Sequence, residues 1–448
     1  MTTSQRRLAQ LSATCVALAL AMPSTTLAAA VPPSPSRLAA ATADVATAAI
    51  AREHIPGLQI AIIRNGQIVL DQGYGVGNTA TQAPVETNTS FEIGSITKSF
   101  TSAAILQLKE RGKLKLTDRL GKYVPEYPRG KDVTIEQLLT MTSGIPDHIN
   151  DVPGAVKIIS SGPGDLDAAL GLIKNMPLNF KPGTQSAYSN TNYLLLGTIV
   201  ARVSHMPYAE YVSKNIFTPA HMIHSAFLKD EPSLASMAVG YSLVSATNLE
   251  PAGHIGYGWS GGAGSIVSTA GDLALWDDAF FRDRIISAAD VKVATTPLYI
   301  KGTSTTYGLG WSIDQIEGIP VVSHDGGMLG FTSINDVFPT LNLGIIVLTN
   351  NGETPPDSIA KDILSRLNPD FARKRDIAAT GENPQITARV TKVWTELHVG
   401  TIDRSELTHE LNKALMPEQV SDLLVSRSLQ KWFSASCRRN HCERREVR

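Results

Sequence analysis

Ser95-Ile96-Thr97-Lys98 pairs a hydroxyl with an amine three residues on. A serine hydroxyl attacks a carbonyl only when a base takes its proton. A lysine one helical turn along the same face can reach that hydroxyl. The spacing alone is unselective, since Ser358–Lys361 and Ser428–Lys431 repeat it. The surroundings separate the three. Ser95 follows Phe91-Glu92-Ile93-Gly94, which reads as a strand end with a glycine that permits close approach, and a helical run opens behind it. Unsatisfied N–H groups and the positive end of a helix field would then surround its side chain. The other two matches fall in mid-helix or tail sequence. Taken alone, Ser95 reads equally well as an ordinary helix N-cap.

Two further groups could complete the chemistry. Tyr188-Ser189-Asn190 sits in a loop just ahead of an apolar helical run. A tyrosine serves as a base near neutrality only with a lowered pKa, and a neighbouring lysine ammonium would lower it. Read singly, Tyr188 is a core residue with a satisfied hydroxyl. His324-Asp325-Gly326-Gly327 closes an apolar strand. Paired glycines let a backbone approach a ligand, although they also make ordinary turns. An oxyanion hole needs two N–H donors aimed where charge develops, and the amides of Ser95 and Gly327 are the candidates.

These three elements resemble the S-x-x-K, Y-x-N and K-T-G/H-x-G motifs of the class C β-lactamase and penicillin-binding-protein group of serine hydrolases, whose class A relatives carry a parallel set. The resemblance extends to QLLTMTSGI at 137–145, Pro182-Gly183, Leu195-Leu196-Gly197, GSIVSTAGDL at 264–273, YGLGW at 307–311 and GIIVLTN at 344–350. It covers about residues 37–367. It implies acyl transfer: Ser95 attacks a carbonyl, Tyr188 with Lys98 shuttles the proton, and water releases the acyl-enzyme. Asn190, His324 and Gly326 would hold the substrate. The family includes β-lactamases, D-Ala-D-Ala carboxypeptidases, D-amino-acid amidases and esterases, and the motifs do not choose among them. One departure matters. His324 stands where many β-lactamases carry lysine, so a permanent cation for a substrate carboxylate is missing. That favours an esterase or peptidase. An unperturbed imidazole loses its proton near pH ~6.5, so binding of anionic substrates is expected to weaken through neutrality.

Other readings compete. Gly258-Trp259-Ser260-Gly261-Gly262 fits the G-x-S-x-G elbow of α/β-hydrolases, with Asp277 or Asp278 and His324 in the expected chain order. That elbow needs a buried strand before Ser260, and 251–257 does not read as one. A non-catalytic peptidoglycan- or peptide-binding module is the third reading. His221 and His224 form a lone H-x-x-H without an adjacent Glu or a clear third ligand, so no metal site is expected. No phosphate loop or dinucleotide fingerprint appears, and the chemistry requires no cofactor.

The elements that must position these residues follow from pattern. Alanine-rich sequence at 37–53 predicts a helix. Apolar runs at 58–64 and 67–71, separated by Asn65-Gly66, predict a hairpin. Helical patterns follow at 97–111, 134–141, 165–174 and 191–203. Strands return at 307–313, 320–324, 331–338 and 342–350, and 357–367 predicts a last helix. Strands first, helices in the middle and strands last imply an α+β fold. Its antiparallel sheet would be flanked by N- and C-terminal helices and accompanied by a largely helical second lobe. A cleft between the lobes is the expected substrate site.

The 448 residues are 43% hydrophobic and 18% charged with a formal net charge of −1, so no basic field points to nucleic acid or an anionic membrane. Arg6-Arg7, an apolar stretch at 11–22 and small residues to Ala30 read as a secretory signal peptide over 1–30. The hydrolase domain is then placed at 31–372 and an appended helical segment with a basic tail at 373–448. The expected location is periplasmic or secreted, with no membrane span left after signal removal. Cys437 and Cys442 lie in that tail, so nothing in the catalytic body depends on a disulfide. The expected partner is a small-molecule or peptide substrate, and the oligomeric state stays open.

Overall fold

Asn65 and Gly66, at φ 52° and 77°, form the left-handed pair that a two-residue hairpin turn demands. They join β1 (Gly57–Arg64) to β2 (Gln67–Asn78), as the sequence predicts. The computed structural model describes residues 35–228, 236–243 and 248–368, with Phe371, Arg389 and Lys392. The expected signal peptide lies outside the described residues, and so does the expected appended segment apart from Arg389 and Lys392. No helix among the described residues is long and apolar enough to cross a membrane.

β3 (Ala83–Pro84) follows the hairpin, and the remaining strands of the main sheet come from the far end of the chain. They are β4 (Ser312–Ile316), β5 (Ile319–Met328), β6 (Phe331–Phe338) and β7 (Leu343–Thr349). The spatial order is β4-β5-β6-β7-β1-β2-β3, antiparallel throughout. β1 and β7 pair at the centre, from Leu58 opposite Thr349 to Arg64 opposite Leu343.

Both central strands are apolar along nearly their whole length because both faces of the sheet are covered. Alternate side chains part company. Leu58, Ile60, Ile62, Ile345 and Val347 join one core with α1 (Pro35–Glu53) and the C-terminal helix Pro356–Leu367. Ala61, Ile63, Ile346 and Leu348 face the other way into the larger core. That core includes α2 (Thr97–Glu110), which is buried on every side from Thr97 to Leu108. Buried polar residues of α2 find partners inside: Ser99 donates to Ile96 O, Thr101 to Gly262 O and Gln107 to Ile285 O. α3 (Asn190–Ser204) and α4 (Ala270–Phe281) also contribute to this core. Trp276 of α4 stacks on Phe100 of α2 with ring centroids 4.1 Å apart.

The strand expected at 307–313 is not formed as such. β4 starts at Ser312, and Tyr307 makes only a single bridge to it. The intervening N–H groups are spent elsewhere: Gly308 donates to Trp311 O at 2.8 Å and Leu309 to Ala294 O at 2.9 Å. A turn that crosses the helical lobe therefore replaces the first half of the strand.

Asn350 ties the sheet centre together at the end of β7. Its Oδ1 accepts from Gly57 N at 2.7 Å, and its Nδ2 donates to Val76 O at 3.2 Å and Val239 O at 3.1 Å. Asn350→Ala removes the partner of the buried Gly57 N–H, a loss of about 1–3 kcal/mol if it stays unpaired, and of two half-buried carbonyls that water can partly satisfy. Urea unfolding is expected to show a loss of about 2–4 kcal/mol. A midpoint unchanged from wild type would mean that water replaces the amide there.

Candidate active site

Ser95 stands in a tight 3₁₀ turn, Gly94–Ile96, that feeds directly into α2. Gly94 holds φ +50°, and a Cβ there would lie 2.8 Å from Gly327 N. The turn and the end of β5 are thus in near backbone contact. Gly326 and Gly327 differ. A Cβ on Gly326 would lie 2.1 Å from Ile93 O, so that glycine lets β5 pack on the serine turn. A Cβ on Gly327 would meet nothing within 4 Å, so Gly327 opens on free space.

Lys98 is fully buried, and its amine is 2.9 Å from Ser95 Oγ, 2.9 Å from Asn190 Oδ1 and 2.8 Å from Ala263 O. A neutral amine fits this cage. The three oxygens also match the three hydrogens of the ammonium; once deprotonated, the amine keeps two of these bonds and can turn its lone pair to the serine hydroxyl. Burial pushes Lys98 down to about 7, against the opposing pull of Asp147 and Asp325.

The Tyr188 hydroxyl donates to Ser95 Oγ at 2.8 Å, and Lys98 Nζ is 4.8 Å from the centre of its ring. The ring is 44% exposed, yet loss of water pushes the phenol well above its ordinary value despite the Ser95 bond. The expectation of a lysine-lowered tyrosine is reversed here. Desolvation favours the neutral form of each group, so the amine loses its proton more readily and the phenol holds on to its own.

His324 departs from expectation too. It is 1% exposed, and burial pushes it down to about 4. Its Nδ1 is 2.7 Å from Asp325 O, which can only accept, so Nδ1 carries the proton. Nε2 then accepts from the Tyr307 hydroxyl at 3.1 Å. The imidazole is neutral at neutral pH, with both nitrogens engaged.

Asn190 is equally committed. Its Oδ1 faces Lys98, while its backbone N–H and Nδ2 donate to Asp147 Oδ2 at 3.1 and 2.9 Å. Asp147 is 1% exposed and also accepts from Asn150 Nδ2 and Ile149 N. Sequence analysis missed Asp147 and did not single out Tyr307. Asp147 follows the family-like 137–145 stretch by two residues, and a lone acid between Pro146 and the buried His148 was the available signal.

The competing constellations do not assemble. Ser260 ends a one-turn helix, Tyr257–Ser260, and its Oγ has no hydrogen-bond partner. Asp277 accepts from Asn335 Nδ2 at 2.7 Å, and Asp278 pairs with Arg282 at 2.7 Å. Ser358 donates to Pro355 O, while Lys361 turns to Asp357. His221 closes a short helix, and His224 N donates to Asp272. Among the described residues no three His, Cys, Asp or Glu side chains are grouped to hold a metal.

Known proteins share this sequence and architecture. The Beta-lactamase family profile matches residues 42–367. Protein flp of Staphylococcus aureus is 30% identical over 316 residues, which cover 68% of this chain and 61% of that protein. The chain thus spans about three fifths of that relative. The octameric penicillin-binding protein homologue of Pyrococcus abyssi is 29% identical with a TM-score of 0.65, over 77% of this chain and 81% of that one. A D-stereospecific amidohydrolase from Streptomyces is 25% identical with a TM-score of 0.61, over 73% and 98%. A serine turn packed on a strand end, beside a buried lysine and a tyrosine, thus sits within a sequence that belongs to the Beta-lactamase family of serine hydrolases.

Proposed function

We propose that this chain is an exported hydrolase that forms an acyl-enzyme on Ser95 with uncharged esters, amides or D-amino-acid peptides. The observation that carries the reading is Ser95 Oγ held between Lys98 Nζ at 2.9 Å and Tyr188 Oη at 2.8 Å. Export rests on the signal-like 1–30 stretch. The likeness to a D-stereospecific amidohydrolase supports an acyl group of that kind.

Lys98 takes the Ser95 proton as Oγ bonds to the substrate carbonyl carbon. The Ser95 and Gly327 N–H groups receive the developing oxyanion. Tyr188 gives its phenolic proton to the leaving group and recovers one from the Lys98 ammonium. Water then attacks the acyl-enzyme with the same groups in reverse order. Asn190, in this mechanism, holds the lysine through Oδ1 and keeps its second Nδ2 hydrogen for the substrate. His324, neutral and bonded on both nitrogens, lines the site as an uncharged wall. A substrate carboxylate finds no imidazolium there, which favours neutral esters and amides over anionic β-lactams.

Mass mapping after treatment with a fluorophosphonate is expected to place the adduct on Ser95. Purified protein should then hydrolyse p-nitrophenyl esters faster than nitrocefin. An adduct on Ser260, or faster nitrocefin turnover, overturns the proposal.

Lys98 is the base only when unprotonated. With its pKa depressed to about 7, kcat/KM should rise with pH and level off above about 7. His324 changes charge only near about 4, so neutral and anionic substrates should give profiles of one shape from about pH 5.5 to 8.5. A selective weakening of the anionic substrate through neutrality would restore His324 as a charged anchor.

Asp147→Asn removes the charge that raises Lys98 and the acceptor that aims Asn190. The acid limb of the profile should move to lower pH, and kcat should fall on the order of 10²-fold from misplacement. A reduced kcat with an unmoved limb would mean that Asp147 serves the fold alone.

A further inference from the structure

A second concave surface lies away from Ser95. A cleft of about 690 Å³ is lined by Arg119, Arg129, Lys131 and Lys181, with Asp132 as the one carboxylate among its lining residues. Three of the cations act on that single acid. Arg129 Nε pairs with Asp132 Oδ2 at 2.7 Å, and Arg119 and Lys131 add to the field that holds its carboxyl low. Asp132 offsets one charge, which leaves an excess of three positive charges in a protein whose formal net charge is −1. Lys131 and Lys181 have no ion-pair partner among the described residues.

The cations are held by backbone, not scattered on loose loops. Arg119 bridges Thr134 in antiparallel register, Leu120 N donates to Val133 O, and Gly121 N donates to Gly130 O. The Arg119 guanidinium is aimed by its own bond to Asp132 O at 3.2 Å. Gln137 lines the cleft and closes the capping box with Thr134. The loop that carries Lys181 is pinned by Asn179 N to Gly144 O and by Gly183 N to Thr142 O, both at 2.8 Å. Phe180 adds an apolar flank.

We infer that this cleft is a binding site for a ligand that presents two or more phosphate groups. Planar guanidinium groups match phosphate oxygens two at a time, and an ammonium supplies a movable point charge. A ligand with several phosphates can meet more of the four cations than a single phosphate can. The proposal is independent of the Ser95 chemistry, and none of the four cations belongs to that machinery.

Calorimetric titration of the purified chain with sodium tripolyphosphate tests it, beside orthophosphate at the same ionic strength. Arg119→Gln/Lys131→Gln/Lys181→Gln should weaken tripolyphosphate binding by about tenfold or more, since three charge-assisted contacts are lost. Lys113→Gln/Lys157→Gln/Lys292→Gln removes equal charge from exposed positions outside the cleft and should leave binding within about twofold. Orthophosphate should bind about tenfold more weakly than tripolyphosphate. Equal losses in the two triple variants, equal affinity for the two anions, or no binding to wild type would overturn the assignment. Ester turnover in both variants reports that the fold is intact.

Discussion

Lys98 Nζ is sealed from water, with three oxygens as its hydrogen-bond partners. Each partner comes from a different part of the chain: the serine turn, the start of α3 and the segment before α4. A charged amine in such a place is costly, and burial brings Lys98 down to about 7, where it exchanges its proton readily near neutral pH. The same exclusion of water acts on the buried His324, and it pushes both groups toward neutrality. Charge created at Ser95 would then be met by fixed N–H dipoles.

The architecture exists to make that enclosure. α2 brings the serine turn and the lysine in one rigid piece, buried all round. The sheet contributes the end of β5, which lies against the turn only because Gly94 and Gly326 have no side chains. α3 contributes Asn190 at its first residue, aimed by Asp147 from the segment before it. Helix start, strand end and loop acid meet at one hydroxyl.

Much of this was legible in the sequence wherever the signal was local. The Asn65-Gly66 turn and the helices beginning near 35, 97 and 190 follow from spacing and turn chemistry, while the three motif segments stood out through their resemblance to a known family. α4 was not picked out: nearly all of its residues are buried, acids included, so it shows no amphipathic stripe to read. The direction in which Tyr188 and His324 are shifted was not legible either. It depends on burial by parts of the chain outside the motif, such as Tyr307 against the imidazole, and a motif does not report how much water is excluded. Asp147 escaped for the same reason, since an acid in a loop looks solvated until the fold covers it.

The central pairing of β1 with β7 has a consequence for how the molecule comes into being. The Gly57 amide and the Asn350 side chain that accepts its proton are 293 residues apart. Closing so long a loop carries an entropic cost that only the finished sheet repays, and contacts of such high sequence separation form late. During synthesis the first hairpin emerges with one edge of β1 unpaired, and that strand is almost wholly apolar. The chain must therefore stay open until its last strands arrive. Any product truncated before about residue 343 is left with that sticky edge as a template for aggregation.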